Sequence, residues 1–265
     1  MRSGSGRRSF FASRLTIKGS SIRTAADLEA VLATGTFEFH DANFDGADLS
    51  HINTEGLSLV DCSLVGANLS YLHCEGLRLE NCQATNARFD HSVLHEAEFK
   101  NSDCSSASFR GTKLNLSRFL DCDLTLCNFH SCNLFAVDFA GSRLRSVDLT
   151  TANTDGIGLD RASVHLSNLR HMSFKKQHLV GVDFSEADIG GCDFTDAVLE
   201  KCTLTRITAS PETRFDGADL RGALVDSSLL GGVCKGAIIS NKQSSDLIFE
   251  AHGLVVLEPA ETRGV

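Results

Sequence analysis

With 265 residues, 42% of them hydrophobic and 22% charged, the chain has the composition of a soluble globular protein that can bury a sizeable core. A formal net charge of −9 at pH 7 argues against nucleic-acid or anionic-lipid binding as the main activity. No apolar run of about 18 residues occurs, which excludes a transmembrane helix and membrane insertion.

The first 22 residues are a Ser/Arg-rich leader expected to be disordered. Up to position 36 there are six basic residues (Arg2, Arg7, Arg8, Arg14, Lys18, Arg23) against Asp27 and Glu29, so the rest of the chain carries −13. The Arg7-Arg8 pair is followed by polar residues rather than the apolar region of a twin-arginine signal. Ten cysteines without a secretory signal point to free thiols in a reducing compartment, that is, a soluble cytoplasmic protein.

Residues 23–36 read as a capping helix, with Thr24 as N-cap, Asp27 three residues on, and Gly35 just past its end.

From Phe39 to Leu204 the pattern has a period of five. Of 34 positions taken every fifth residue, 29 are Leu, Phe, Ile or Val, and the exceptions Thr54, Cys74, Ala84, Cys104 and Thr154 are all small. Two residues earlier runs a small series that includes Ala42, Ala47, Cys62, Ala67, Cys82, Cys122, Cys127 and Cys132. Asp or Asn recurs between the two series, as at Asp48 and Asn128, and Gly two residues after the large one, as at Gly46 and Gly66. Neither a helix of period 3.6 nor a strand of period 2 satisfies this. A coil of very short extended segments joined by tight turns does, with one large and one small side chain of each pentad pointing inward.

These residues resemble the pentapeptide-repeat family, whose signature is a small residue, Asp or Asn, Leu or Phe, any residue, and Gly. The resemblance implies an all-β fold, a right-handed quadrilateral β-helix with 20 residues per square coil. Residues 37–240 would make about ten coils, a rod about 48 Å long at the spacing of adjacent strands. The register breaks at 205–214, where one residue is inserted beside Pro211. Residues 241–265 are the C-terminal cap and tail, in which Leu247-Ile248-Phe249 and Leu254–Leu257 read as covering strands.

Residues 20 apart then stack. Phe99, Phe119 and Phe139 form one inner column, Phe89, Phe109 and Phe129 a second, and Phe174 and Phe194 a third. Cys62, Cys82, Cys122 and Cys202 share another. Outside, Arg78, Glu98, Arg118 and Asp138 alternate in sign and predict an ion-pair ladder. His51, Tyr71 and His91 stack on the surface, with the two histidines about 10 Å apart, too far to share a metal ion.

No catalytic constellation emerges. The nine histidines between 37 and 240 lie outside both inward series and nine of the ten cysteines lie within them, so no Cys–His pair forms. The motifs GxGxxG, GxSxG, HExxH and the P-loop are missing. Neither an enzyme nor a cofactor or metal is expected.

Two surface features depart from the repeat. Leu116, Leu120, Leu126, Phe135 and Leu166 are large apolar residues at outward positions, a candidate patch for a protein partner or a dimer. Asp183, Glu186, Asp188, Asp193, Asp196 and Glu200 are a candidate acidic face. The expected function is a rigid scaffold for protein partners, with no direct nucleic-acid binding. The resemblance also implies two finer readings. One is a bacterial effector secreted into a host cell without a cleaved signal peptide, the leader serving as its address; a plain disordered tail or a transit peptide would look the same. The other is a DNA mimic that binds type II topoisomerase and protects it from quinolones.

Overall fold

The computed structural model describes residues 22–230 and 234–253. The leader up to residue 21 and the expected strand at 254–257 lie outside the described residues.

The chain winds into a parallel β-solenoid of about nine turns, a square coil with four walls. In the first complete turn the walls are 42–44, 47–49, 52–54 and 57–59, and the corners between them are 45–46, 50–51, 55–56 and 60–61. Each wall residue pairs with the one 20 positions on: Asn43 with Ser63, Asp48 with Asn68, Asn53 with His73, Ser58 with Arg78. Pairing is by hydrogen bonds in both directions. Phe44 N–H donates to the Ser63 carbonyl at 2.7 Å, and Ser63 N–H donates back to Ala42 at 2.9 Å. The fourth wall is the most regular, a five-stranded parallel ladder of Glu38–His40, Ser58–Val60, Arg78–Glu80, Glu98–Lys100 and Arg118–Leu120.

Both inward series are buried, and the phenylalanines interlock. Phe89, Phe109 and Phe129 stack on the second wall at centroid spacings of 4.9 and 5.3 Å, and Phe99, Phe119 and Phe139 on the fourth at 4.4 and 5.2 Å. The two columns meet edge to face across the axis, for example Phe109 against Phe119 at 5.6 Å. Beyond a stretch of smaller residues the ladder resumes on the other two walls, with Phe174, Phe194 and Phe215 stacked and Phe184 facing them.

The small inward position also carries polar atoms, and these are matched. Ser142 Oγ donates to the Phe119 carbonyl at 2.8 Å and accepts from Cys122 N–H at 2.9 Å, joining two turns. Ser92 and Ser167 make the same pair of bonds. Cysteine thiols occupy the equivalent place: Cys132 Sγ donates to Phe109 at 2.7 Å and Cys127 Sγ to Cys104 at 3.0 Å.

The inserted residue appears as a change in pairing. Asp188 pairs with Thr208, 20 on, but Asp193 pairs with Arg214, 21 on, so the extra residue lies between them, at the turn containing Pro211. About nine turns form against the ten or so expected, and the last is irregular: after Val225 the chain leaves the wall for a 3-10 turn, Ser227–Leu230, and returns where Ile238 pairs with Asp219.

Helix α1 (Ala25–Leu32) closes the first end. Its N-cap Thr24 and Asp27 form the expected reciprocal capping box, and Leu28 and Leu32 are buried on the first coil. At the other end the expected strand at 247–249 is a helix, α2 (Asn241–His252). Ser240 and Gln243 form a second capping box, and Gly253 ends the helix in the left-handed conformation at φ 66°. Gln243 Nε2 also donates to the Leu220 and Ala223 carbonyls at 2.7 and 2.8 Å, tying the helix to the last turn of the rod.

Candidate functional site: an open groove on one corner

The corners place the surface side chains. At each, the second residue takes a left-handed conformation: Gly46, Gly66, Asn86, Ser106, Leu126, Ser146 and Leu166 all lie at the first corner, with φ between 56° and 66°. Side chains there point away from the core, because the inward positions are taken by the flanking walls.

This geometry divides the apolar set. Leu126 and Leu166 share the first corner, 61% and 42% exposed. Leu116 and Phe135 are at the third, 53% and 47% exposed, joined by Leu116 N–H donating to the Phe135 carbonyl at 3.0 Å. Leu120, half-buried, is at the fourth. Residues ten apart in a 20-residue coil are on opposite sides, so four of the five form two pairs on diagonally opposite corners, Leu120 stands on another, and there is no single patch.

The acidic set is likewise divided. Asp183, Asp188 and Asp193 are on three successive walls, Glu186, Asp196 and Glu200 at three corners, so the carboxylates encircle the rod. Several are paired: Glu186 with Arg206 at 2.6 Å, Asp188 with Arg170 at 3.3 Å, Glu200 with Lys201 at 3.1 Å. Of the expected ladder, Glu98 and Arg118 close an ion pair. Asp138 instead accepts the Ala140 amide at 3.0 Å. His51, Tyr71 and His91 stack as expected, at 4.8 and 5.3 Å.

Beside the first corner lies a groove of about 400 Å³, lined by Thr125, Arg143, Arg145, Ser163, His165, Asp183, Ser185 and Arg206. The stacking of turns brings these residues together: Leu126 N–H donates to the Arg145 carbonyl at 2.9 Å, Ser146 N–H to His165 at 3.0 Å. Most of the charge is already matched. Arg143 Nη2 donates to Asp123 at 2.8 Å and Arg206 to Glu186. Burial raises the Asp183 pKa, but hydrogen bonds from the Ser185 hydroxyl and amide and the Ser163 hydroxyl outweigh it and hold the carboxyl below its ordinary value. Arg145 alone among the three arginines has no hydrogen-bonded carboxylate. His165 Nδ1 is 2.9 Å from the Ser185 carbonyl, which can only accept, so Nδ1 carries the proton and Nε2 is left open. Sequence reasoning missed this groove. Its signal was three arginines and a histidine at spacings near 20 in an otherwise acidic body.

Cys122, Cys127 and Cys132, five apart in the sequence, lie on three walls of one coil. Burial pushes the thiols up, Cys122 to about 11 and Cys132 to about 12, so they stay protonated and unreactive at neutral pH. Among the described residues no cluster of three or more His, Cys, Asp or Glu is arranged to hold a metal ion.

The sequence model described as pentapeptide repeats matches eight copies, at residues 38–71, 78–115, 102–139 and 159–207, more than half of the chain. The chain belongs to the pentapeptide-repeat family. The solved structures similar to it include HetL, a pentapeptide-repeat protein involved in heterocyst differentiation regulation in the cyanobacterium Nostoc. It is 20% identical, with a TM-score of 0.56 over 80% of this chain and 93% of that one. Trypsin-treated QnrB1, a plasmid-mediated fluoroquinolone resistance protein, is 20% identical with a TM-score of 0.40 over 83% and 96% of the two chains. No curated protein matches the sequence. The likeness to HetL shows the pentapeptide-repeat fold. Among the described residues no helix is long and apolar enough to cross a membrane.

Proposed function

We propose that this protein is a non-enzymatic scaffold: a stiff pentapeptide-repeat rod whose outer columns bind a protein partner. One observation carries the reading. The repeat consumes the inward positions, and at the outward corners, where Gly or Asn would be least strained, the chain places exposed leucines beside an arginine groove. Thiols and imidazoles remain segregated between core and surface, which supports binding rather than catalysis.

The effector reading rests on the basic leader alone. A reporter fused to residues 1–36 would be translocated into host cells by a dedicated secretion system if the leader is an address, and retained if it is not. The DNA-mimic reading needs a continuous negative face, and the encircling carboxylates, several of them paired with arginine or lysine, give it no support beyond the net charge. Supercoiling by gyrase is therefore expected to be unaffected by micromolar protein, and inhibition would revive the mimic.

The scaffold itself is tested in cells by photo-crosslinkers at outward positions of all four walls. A discrete crosslinked partner from at least one wall is expected. Silence from every wall contradicts the reading.

A further inference from the structure

We infer that the first corner between Leu126 and Leu166 is a docking groove for an acidic segment of a partner protein that carries an apolar side chain. This names the partner class of the scaffold reading and rests on it.

Three independent observations converge there. First, at the left-handed corner position an L residue with a bulky side chain is disfavoured, and Gly, Asn and Asp are the usual occupants. Residues 126 and 166 are leucines all the same, at φ 60° and 59°, and both are exposed, Leu126 as much as any large apolar residue of the rod. Neither fills a gap in the core, so packing does not explain them. Strain retained at a site whose side chain contributes nothing inward points outward, to binding.

Second, Ser146 separates them. It occupies the same corner one turn from each, so the leucines are two turns, about 10 Å, apart with a short hydroxyl between. That notch is wide enough for one aliphatic side chain of a partner, touching leucine on both sides.

Third, the residue before each of these three lines the charged groove: Thr125, Arg145 and His165. Arg145 is exposed and makes no hydrogen bond to a carboxylate, although Glu186 lies within its electrostatic reach. A carboxylate entering beside the notch would find a guanidinium fork, and the Ser163 and Thr125 hydroxyls lie in the same groove. The charges around the groove otherwise nearly balance, Arg143 facing Asp123 and Arg206 facing Glu186, so the Arg145 guanidinium is the one fork there that an acidic partner can take up without displacing a hydrogen-bonded carboxylate.

The test uses the full-length protein and fluorescein-labelled nonapeptides read by fluorescence anisotropy. The probe is three repeats of Asp-Leu-Glu. Its controls replace every Leu by Ser, or every acid by Lys. The wild type is expected to bind the probe at least ten-fold more tightly than either control, and more weakly as salt rises. Arg145→Glu is expected to weaken binding at least ten-fold. The double change Leu126→Asn and Leu166→Asn is expected to weaken it at least five-fold while the far-ultraviolet circular dichroism stays that of the wild type. Equal binding of probe and controls, no binding by the wild type, or unchanged binding by either variant overturns the groove. The scaffold reading survives those results if photo-crosslinks still arise from other walls, and falls only if all walls are silent.

Discussion

The first corner is built with one backbone turn from end to end, yet its lower and upper stretches are written differently. In the lower turns the left-handed position holds Gly46, Gly66, Asn86 and Ser106, and in the upper ones Leu126, Ser146, Leu166, Glu186 and Arg206, with φ between 53° and 66° throughout. The conformation is therefore imposed by the stacked walls and not by the corner residue. Where the local preference is followed, nothing is asked of the surface. Where it is overridden by leucine, the side chain is exposed beside an arginine groove, so the override concerns what lies outside the rod.

The comparison holds only if the interior is equally strong behind both stretches. Phe109 and Phe194, from the two phenylalanine ladders, are both fully buried. Phe109→Ala and Phe194→Ala should each cost about 3–5 kcal/mol in urea denaturation. A cost below about 1 kcal/mol for either would show that one ladder does not hold its part of the rod, and the comparison would break there.

Next in size is Ser142→Ala, which removes a buried hydroxyl linking two turns and leaves the Phe119 carbonyl and the Cys122 amide each short of a bond. A loss of about 1–3 kcal/mol is expected. A neutral result would mean that water reaches the wall behind the upper corner.

The corner itself is probed by Gly66→Leu, which copies the upper pattern into the lower stretch. A Cβ at Gly66 meets nothing within 4 Å, so the change tests conformation without a clash. It should cost about 1–2 kcal/mol by the same denaturation curve. An unchanged midpoint would mean that leucine is not strained at this turn and that Leu126 and Leu166 need no functional reason.

The smallest effect is electrostatic. Asp123 and Asp183 lie on the wall beside the upper corner, and burial raises both pKa values before hydrogen bonds from Thr125 and Arg143, and from Ser185 and Ser163, lower them below the ordinary 3.8. A carboxyl depressed in the folded state contributes stability above its unfolded pKa and loses it as pH falls through the folded one. The melting temperature should therefore decline as pH drops below about 4, and less steeply in Asp183→Asn. An identical acid slope in that variant would remove Asp183 from the account.

Much of the rod was legible because one period sets both inward series. The phenylalanine columns, the His51–Tyr71–His91 stack, the Thr24 cap and the break near Pro211 all follow from counting in fives and twenties. What was lost came from reading neighbours along the chain instead of around the coil. Leu116 and Leu126 look adjacent in sequence but lie across the rod, and the run from Asp183 to Glu200 nearly completes a circuit. The Arg78–Asp138 column alternated correctly in sign, but its last carboxylate was captured by a local amide, which register alone does not reveal. At the C-terminal end the apolar triplet at 247–249 suggested a strand. The capping box of Ser240 and Gln243 and the left-handed Gly253 decide for a helix, of which only Leu247 is buried.

The most direct test of the central claim is the unfolding free energy of the double variant Leu126→Asn and Leu166→Asn. If the two leucines are held at the corner for the surface and against the backbone's preference, the variant should be more stable than the wild type, by about 1 kcal/mol or more. A variant less stable than the wild type would show that the leucines serve the fold, and would contradict the account.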